Sequence, residues 1–305
     1  MAAASDTVLI TGGTGLVGGA LSRALLDAGH GARIVSRRAS PRGLPAGAES
    51  CVWDGTKVAP EDLAGLRAVV HLAGEPVFGG LPTATHKARV RESRVASTRA
   101  LVESLGACSD AERPRTFVCA SAVGYYGDRG DTLLAEDADA GEGLLAEVCV
   151  DWEREALAAE ALGVRTVRVR IGIVLAKDGG ALPQLVLPFR FGLGGRLGDG
   201  RQWFPWIHLD DLTALLFAAI TDEGWQGAVN GVAPQPVTNS ELTRTLGRVL
   251  GRPTLLPVPG FAVRAALGEL AGELLGSRRV VPRVAEERGF AFRYPELEPA
   301  LADLL

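Results

Sequence analysis

Apolar residues fall along this chain in short β-branched runs separated by longer stretches with helical spacing. The first run is Thr7-Val8-Leu9-Ile10, and Leu21, Leu25 and Leu26 then recur on one face of the stretch from Gly19 to Ala28. That is the period of a helix lying on a core, with Gly29 as its expected C-cap. The alternation repeats. Strands are predicted at Ala32 to Val35, Cys51 to Asp54, Arg67 to Leu72, Thr116 to Ala120 and Arg165 to Leu175. Helices are predicted at Thr83 to Leu105 and Leu144 to Leu162. Beyond them come a helix ending at Ile220 with Asp210-Asp211 as its N-cap, a strand over Ala228 to Val232, and a helix over Ser240 to Leu250 capped by Thr238-Asn239. The tail adds a strand at Leu255 to Pro257, a helix from Phe261 to Leu275 and a closing segment from Pro282 to Leu305. Strands alternating with helices predict an α/β, Rossmann-type doubly wound parallel sheet with a small C-terminal substrate lobe. Residues 5–178 with 206–234 would form the dinucleotide-binding part, and 179–205 with 235–305 the lobe.

Between the first strand and helix lies Thr11-Gly12-Gly13-Thr14-Gly15-Leu16-Val17-Gly18. Glycines in that context are a dinucleotide fingerprint. Gly12 allows the tight turn, Gly15 lets a diphosphate approach the backbone, and Gly18 lets the helix lie close on the sheet. The helix start, with Leu16 and Val17, offers unpaired N–H groups and a positive dipole end.

The second strand ends in Ser36-Arg37-Arg38, where an NAD site would place a carboxylate for the ribose hydroxyl. A guanidinium there can hold a 2′-phosphate, so the expected cofactor is NADP(H). Asp54, at the end of the third strand, is a candidate beside the adenine, and Trp53 reads as packed. The small-residue exit Leu72-Ala73-Gly74-Glu75 is where a ligand can approach main chain. On the long helix Arg94 is expected to pass the cofactor. Ser121 follows a parallel strand and is expected to point into the crevice and polarise a substrate oxygen. Tyr125 or Tyr126 would relay the proton. The glycine- and proline-rich stretch Lys177 to Arg201 reads as mobile loops over a ligand, where Arg190, Arg196 and Arg201 could meet an anion. Glu75, Arg190 and Trp206 are the candidate substrate contacts. His208 reads as a structural hydrogen-bonding residue.

The 305-residue chain is 47% hydrophobic, enough for one large domain or a domain with an appended lobe. A net charge of −4 and a pI of about 5.7 create no global field for nucleic acid. Cys51, Cys108, Cys119 and Cys149 form no C-x-x-C pair and read as free thiols of a reducing compartment. The four histidines lack metal-ligand spacing. Met1 to Ser5 carries no basic n-region, and no uncharged span reaches transmembrane length. The expectation is a cytoplasmic protein with a small-molecule substrate, no nucleic-acid or membrane partner, no metal, and a homodimer left open.

These residues together resemble an extended short-chain dehydrogenase/reductase, and more narrowly its atypical epimerase-like branch. The marks are the glycine motif, Leu72-Ala73-Gly74-Glu75, Ser121-Ala122-Val123-Gly124-Tyr125-Tyr126-Gly127, Trp152-Glu153, Leu187-Pro188-Phe189-Arg190-Phe191-Gly192-Leu193-Gly194-Gly195, Trp206-Ile207-His208 and Asn230-Gly231-Val232-Ala233-Pro234. The resemblance covers nearly the whole chain. It implies NADP(H) at Ser36, Arg37, Leu72, Ala73 and Arg94, with Val174 where main chain meets the nicotinamide. One departure stands out. Short-chain reductases use a Tyr-x-x-x-Lys pair, in which lysine lowers the phenol's pKa, and this chain has none. Leu145 and Cys149 align with the two positions. The leading reading is an NADP(H)-dependent oxidoreductase. The alternatives are an NADPH-binding sensor or scaffold with little catalysis, and a sugar-nucleotide epimerase.

Overall fold

The structure is a computed structural model that describes residues 6–38, 41–53, 56–78 and 83–305, with Ala266 and Glu269 described by backbone alone. The strands that organise it are β1 (Thr7–Thr11), β2 (Gly31–Ser36), β3 (Glu49–Val52), β4 (Ala68–His71), β5 (Thr116–Ala122), β6 (Arg165–Ile171), β7 (Ile173–Ala176), β8 (Trp206–His208) and β9 (Gly227–Gly231). The helices are α1 (Leu16–Asp27), α2 (Ala84–Ala107), α3 (Leu144–Leu157), α4 (Leu182–Arg190), α5 (Leu209–Thr221), α6 (Asn239–Leu250), α7 (Gly260–Leu267), α8 (Ala271–Leu275) and α9 (Leu297–Leu304). Shorter pieces connect them.

The central sheet has the order β9-β6-β5-β4-β1-β2-β3, with every neighbouring pair parallel. The chain runs outward from β1 to β3, returns to β4 on the other side, and continues away. The order therefore reverses between β1 and β4, and a crevice opens at the carboxyl ends of those strands. Apolar cover lies on both faces, which is why these strands read as continuous apolar runs. Leu9 and Val69 face a layer with Leu101, Leu105 and Trp152 from α2 and α3. Val8, Ile10 and Val70 face the opposite layer with Leu21 and Leu25 of α1 and Leu212 and Leu216 of α5. A third cluster gathers Leu175, Leu182, Val186, Phe189, Trp206, Leu242, Leu246, Leu301 and Leu304. Among the described residues no helix is long and apolar enough to cross a membrane.

Several expected elements differ. The single strand predicted from Arg165 to Leu175 breaks at Gly172, whose N–H donates to the Gly231 carbonyl at 3.0 Å. A Cβ there would come within 2.8 Å of the Pro205 carbonyl oxygen. The second piece, β7, leaves the main sheet and pairs with β8 and with Gly179–Gly180. The stretch read as loops over a ligand holds α4. Its Leu182, Val186 and Phe189 are buried at helical spacing, and Pro183 sits in the first turn, where a missing N–H is harmless. The predicted strand at Leu255 to Pro257 is instead irregular, with one bridge from Val258 to Leu197. The predicted helix over Phe261 to Leu275 breaks after α7 at Gly268, which has φ 55°.

Buried carboxylates tie the last segment to the sheet. Asp211 accepts from the backbone N–H groups of Arg293 (2.7 Å) and Tyr294 (2.9 Å). Glu136 Oε1 accepts from the N–H groups of Asn230 (3.0 Å) and Val284 (3.3 Å). Asp210-Asp211 does not cap α5. His208 does, its Nδ1 accepting the Asp210 N–H at 3.0 Å, in keeping with a structural role.

Candidate active site

The crevice holds two adjoining cavities. The first, about 810 Å³, lies over the turn between β1 and α1. Gly12 takes φ +70°, and a Cβ on it would sit 2.9 Å from the Ala73 nitrogen. Gly18 is buried, and a Cβ there would strike the Gly12 carbonyl oxygen. The turn thus presses against both β4 and its own helix, as the glycines require. α1 begins at Leu16 with no side-chain cap, so its first N–H groups face the cavity unshielded by a capping side chain. Thr11 closes the floor. Its Oγ1 accepts from the Leu72 and Ala73 N–H groups at 3.2 Å each and lies 2.6 Å from His71 Nδ1. With its acceptor sites so used, the threonine donates to Nδ1 and leaves the His71 Nε2–H for Ser97 Oγ at 3.0 Å. Burial, with Arg94 a lesser cause, lowers the His71 pKa to about 3, so the ring is a neutral strut.

The far wall of this cavity is Val35, Ser36, Arg37, Arg38 and Arg42. Ser36 Oγ accepts the Arg38 N–H at 3.1 Å, which shapes the loop leaving β2, and the arginines stand exposed. The structure therefore brings Thr11, Gly12, Gly15, Ser36, Arg37, Arg38, Leu72, Ala73, Gly74 and Glu75 around one space. Glu75 belongs to this first cavity, with Arg89 3.9 Å from its carboxylate. Leu16 and Val17 form the first turn of α1, and Val17 packs into the core. Asp54 lies outside the described residues. Arg42 and the buried Trp53 line the cavity too. The arginine could have been found as the next basic residue after Arg37-Arg38.

The second cavity, about 300 Å³, continues past Gly74 and Arg94. A Cβ on Gly74 would lie 3.3 Å from the Arg94 guanidinium carbon. Arg94 Nη1 donates to the carbonyls of Glu75 (2.9 Å) and Val90 (3.0 Å), and the guanidinium stacks 5.3 Å from the Trp152 ring centre. Burial holds its pKa below the ordinary arginine value. Ala122, Val123, Gly124, Leu145, Cys149, Gly172 and Ile173 form the walls, and Gln202, Trp203, Glu273 and Arg278 close the far end. Glu273 stands on α8, with its Oε1 3.0 Å from Arg278 Nη2.

The expected catalytic residues point elsewhere. β5 runs two residues past its predicted end, so strand alternation turns Ala122 toward the crevice and Ser121 away. Ser121 is buried, and its hydroxyl donates to Glu153 Oε1 at 2.7 Å. The same carboxylate takes Arg170 Nε (2.8 Å) and Nη2 (3.0 Å) and Arg168 Nη1 (2.9 Å). Burial works against the Arg170 charge, but Glu153 outweighs it and holds the guanidinium above its ordinary value. Tyr126 is fully buried, donating to Asn230 Oδ1 at 2.6 Å and accepting from Arg170 Nη1 at 3.0 Å. Burial pushes its phenol up to about 12. Tyr125 stacks under the Arg170 guanidinium, 3.5 Å from its ring centre. None of the three lines the cavity. Trp206 is core, 1% exposed, and Trp203 lines the cavity in its place. Arg190 is exposed at the end of α4, outside both cavities. Val174 sits one residue beyond the lining, its carbonyl accepting from Ala181 N–H at 3.5 Å.

The sequence pattern of the NAD dependent epimerase/dehydratase family matches residues 8–230, most of the chain and all seven strands of the central sheet but for its first and last residues. The chain belongs to that family. A second pattern, the domain of unknown function DUF1731, matches residues 258–304 of this epimerase/dehydratase family protein. That stretch contains Glu273 and Arg278. "Epimerase family protein SDR39U1 homolog, chloroplastic" of Arabidopsis thaliana is 39% identical over 304 residues, 98% of this chain and 86% of the relative. Among solved structures, human epimerase family protein SDR39U1 (isoform2) with NADPH superposes with a TM-score of 0.86 at 34% identity, covering 98% of each chain. A nucleoside-diphosphate sugar epimerase from Corynebacterium glutamicum superposes with a TM-score of 0.78 at 37% identity, covering 97% of this chain and 57% of its own. In this epimerase/dehydratase family protein, then, most residues expected to hold a cofactor line the first cavity, and Ser121, Tyr125 and Tyr126 line neither.

Proposed function

We propose that the protein is an NADP(H)-dependent oxidoreductase acting on small carbonyl or hydroxyl compounds. The observation that carries this reading is the arginine wall of Arg37, Arg38 and Arg42 facing the bare glycine turn across one cavity. No carboxylate stands at the end of β2 among the described residues, and guanidinium groups there suit a 2′-phosphate. The turn fits a diphosphate, because Gly12 and Gly15 line the cavity without side chains and α1 offers uncapped N–H groups. Ser36, Arg37, Arg38 and Arg42 would hold the extra phosphate. Gly12, Gly15 and the first turn of α1 would hold the diphosphate. Leu72, Ala73 and Gly74 would meet the ribose through main chain, and Arg94 with Ile173 would flank the nicotinamide. When bound, NADPH supplies a hydride. The human relative's complex with NADPH supports the choice of nucleotide. We also take residues 179–205 with 235–305 as the substrate lobe, because the third apolar cluster draws on them. Four free thiols are in keeping with a cytoplasmic location.

Fluorescence titration with each nucleotide tests the cofactor. NADPH should bind at least tenfold tighter than NADH, and Arg38→Glu should erase the difference. Equal affinities in the native protein would sink the assignment. Saturating NADPH, at 100 times its Kd, should raise stability by about 2.7 kcal/mol.

A second reading is an NADPH sensor or scaffold. It is favoured by the burial of Ser121 and Tyr126 in the Glu153–Arg170 network. Mixing protein, NADPH and a panel of small carbonyls separates the two, since binding without nicotinamide consumption favours the sensor. A sugar-nucleotide epimerase has less support, since Arg190 lies outside the crevice.

A further inference from the structure

The second cavity has few groups that can gain and lose a proton near neutrality. Arg94 and Arg278 are guanidinium groups and stay charged. The Cys149 thiol is buried, and burial pushes it up to about 12. Asn239 and Gln202 do not titrate. Asn239 Oδ1 is occupied by the Leu197 N–H at 2.8 Å, and Gln202 Nε2 by the carbonyls of Leu197 (3.1 Å) and Leu274 (3.3 Å). Glu273 remains. Its side chain is 20% exposed. A Cβ placed on Gly124, in the cavity wall, would lie 3.7 Å from Glu273 Oε2, 3.5 Å from Leu145 Cβ and 3.9 Å from Cys149 Sγ. Oε2 therefore reaches the wall formed by Gly124 and α3, while Oε1 is anchored by Arg278. Burial raises the carboxyl above its ordinary value, and Arg278 only partly offsets this. A carboxyl raised by burial beside one guanidinium has the character of a proton-exchanging acid.

We propose that Glu273, anchored by Arg278, is the catalytic acid–base residue, acting on a small, largely apolar ketone or aldehyde. The inference rests on the oxidoreductase reading. As the carbonyl carbon accepts the hydride carried by NADPH, its π bond opens toward oxygen. The oxygen takes the Glu273 proton to give the alcohol, leaving NADP⁺ and a Glu273 carboxylate paired with Arg278. In reverse, the carboxylate takes the alcohol proton as hydride leaves carbon. A space of about 300 Å³ shared with the nicotinamide limits the substrate to a few heavy atoms.

The test uses the full chain with Glu273→Gln and Glu273→Asp. NADPH affinity should be unchanged in both. Infrared spectra of the native protein followed down in pH should show a protonated-carboxyl stretch that appears at higher pH than for a free glutamate and that Glu273→Gln lacks. Single-turnover reduction of small ketones and aldehydes should slow about 100-fold or more in Glu273→Gln. It should recover in part in Glu273→Asp, and the alkaline limb of the native pH–rate profile should vanish in the glutamine variant. Native rates and pH profile in Glu273→Gln overturn the assignment while leaving the oxidoreductase reading intact. So does an infrared band unaltered by the substitution. A native protein that binds NADPH but reduces no carbonyl overturns both, and is told apart because the wild type itself fails.

Discussion

Gly12 and His71 show how much a single position decides. At Gly12 the backbone is left-handed and β4 lies within contact of the missing side chain. Alanine there is strained twice, by φ and by the Ala73 nitrogen. Gly12→Ala should cost about 1–2 kcal/mol in a urea melt from the backbone alone, and NADPH affinity should fall with it. The left-handed backbone is a local requirement, which is why the glycine turn was legible in the sequence, whereas the contact with Ala73 is tertiary. His71 was not legible, since its partners Thr11 and Ser97 lie on other elements. Its pKa is about 3 in the fold against 6.5 for the free side chain. Below pH 6.5 the unfolded chain binds the extra proton and the folded one does not. The stabilisation is therefore complete above 6.5 and drains away as pH falls toward 3, at up to about 1.4 kcal/mol per pH unit. Urea midpoints measured across that range should fall steeply in the native protein and more gently in His71→Gln.

At the scale of elements, the main strands and helices followed from period and composition. The errors cluster where an element's end or neighbour decides its meaning. Ser121 faces Glu153 because β5 continues to Ala122, and two residues of strand reverse the expected direction of the hydroxyl. Helix α4 was masked by Pro183 and Pro188, although Leu182, Val186 and Phe189 carry helical spacing. The Gly172 break could not be read, because the close approach to Pro205 is a tertiary fact. The cap of α6 was legible. Thr238 Oγ1 accepts the Glu241 N–H at 3.3 Å while the Glu241 carboxylate takes the Thr238 N–H at 2.6 Å. Thr238→Ala should lower stability by about 1 kcal/mol, seen as a lower urea midpoint with an unchanged slope.

For the molecule as a whole, the first cavity comes from the first half of the sheet, whose motifs are contiguous in sequence. The second is assembled from α3, the Gly172 break and α8, which are far apart along the chain. No spacing rule links Cys149 to Glu273, so the carboxylate there was invisible until the fold was known. The last segment is tied to α5 by the backbone of Arg293 and Tyr294 on Asp211, and to β9 through Glu136, which takes the N–H groups of both Val284 and Asn230. During synthesis this has a cost in time. A nascent chain that has left the ribosome as far as Gly231 has every strand of the central sheet in hand, yet Asp211 still awaits the amides of Arg293 and Tyr294, and Glu136 that of Val284, all more than fifty residues further along the chain. Until those amides emerge, both carboxylates are solvated by water, and the apolar side chains that Leu297, Leu301 and Leu304 cover stay open.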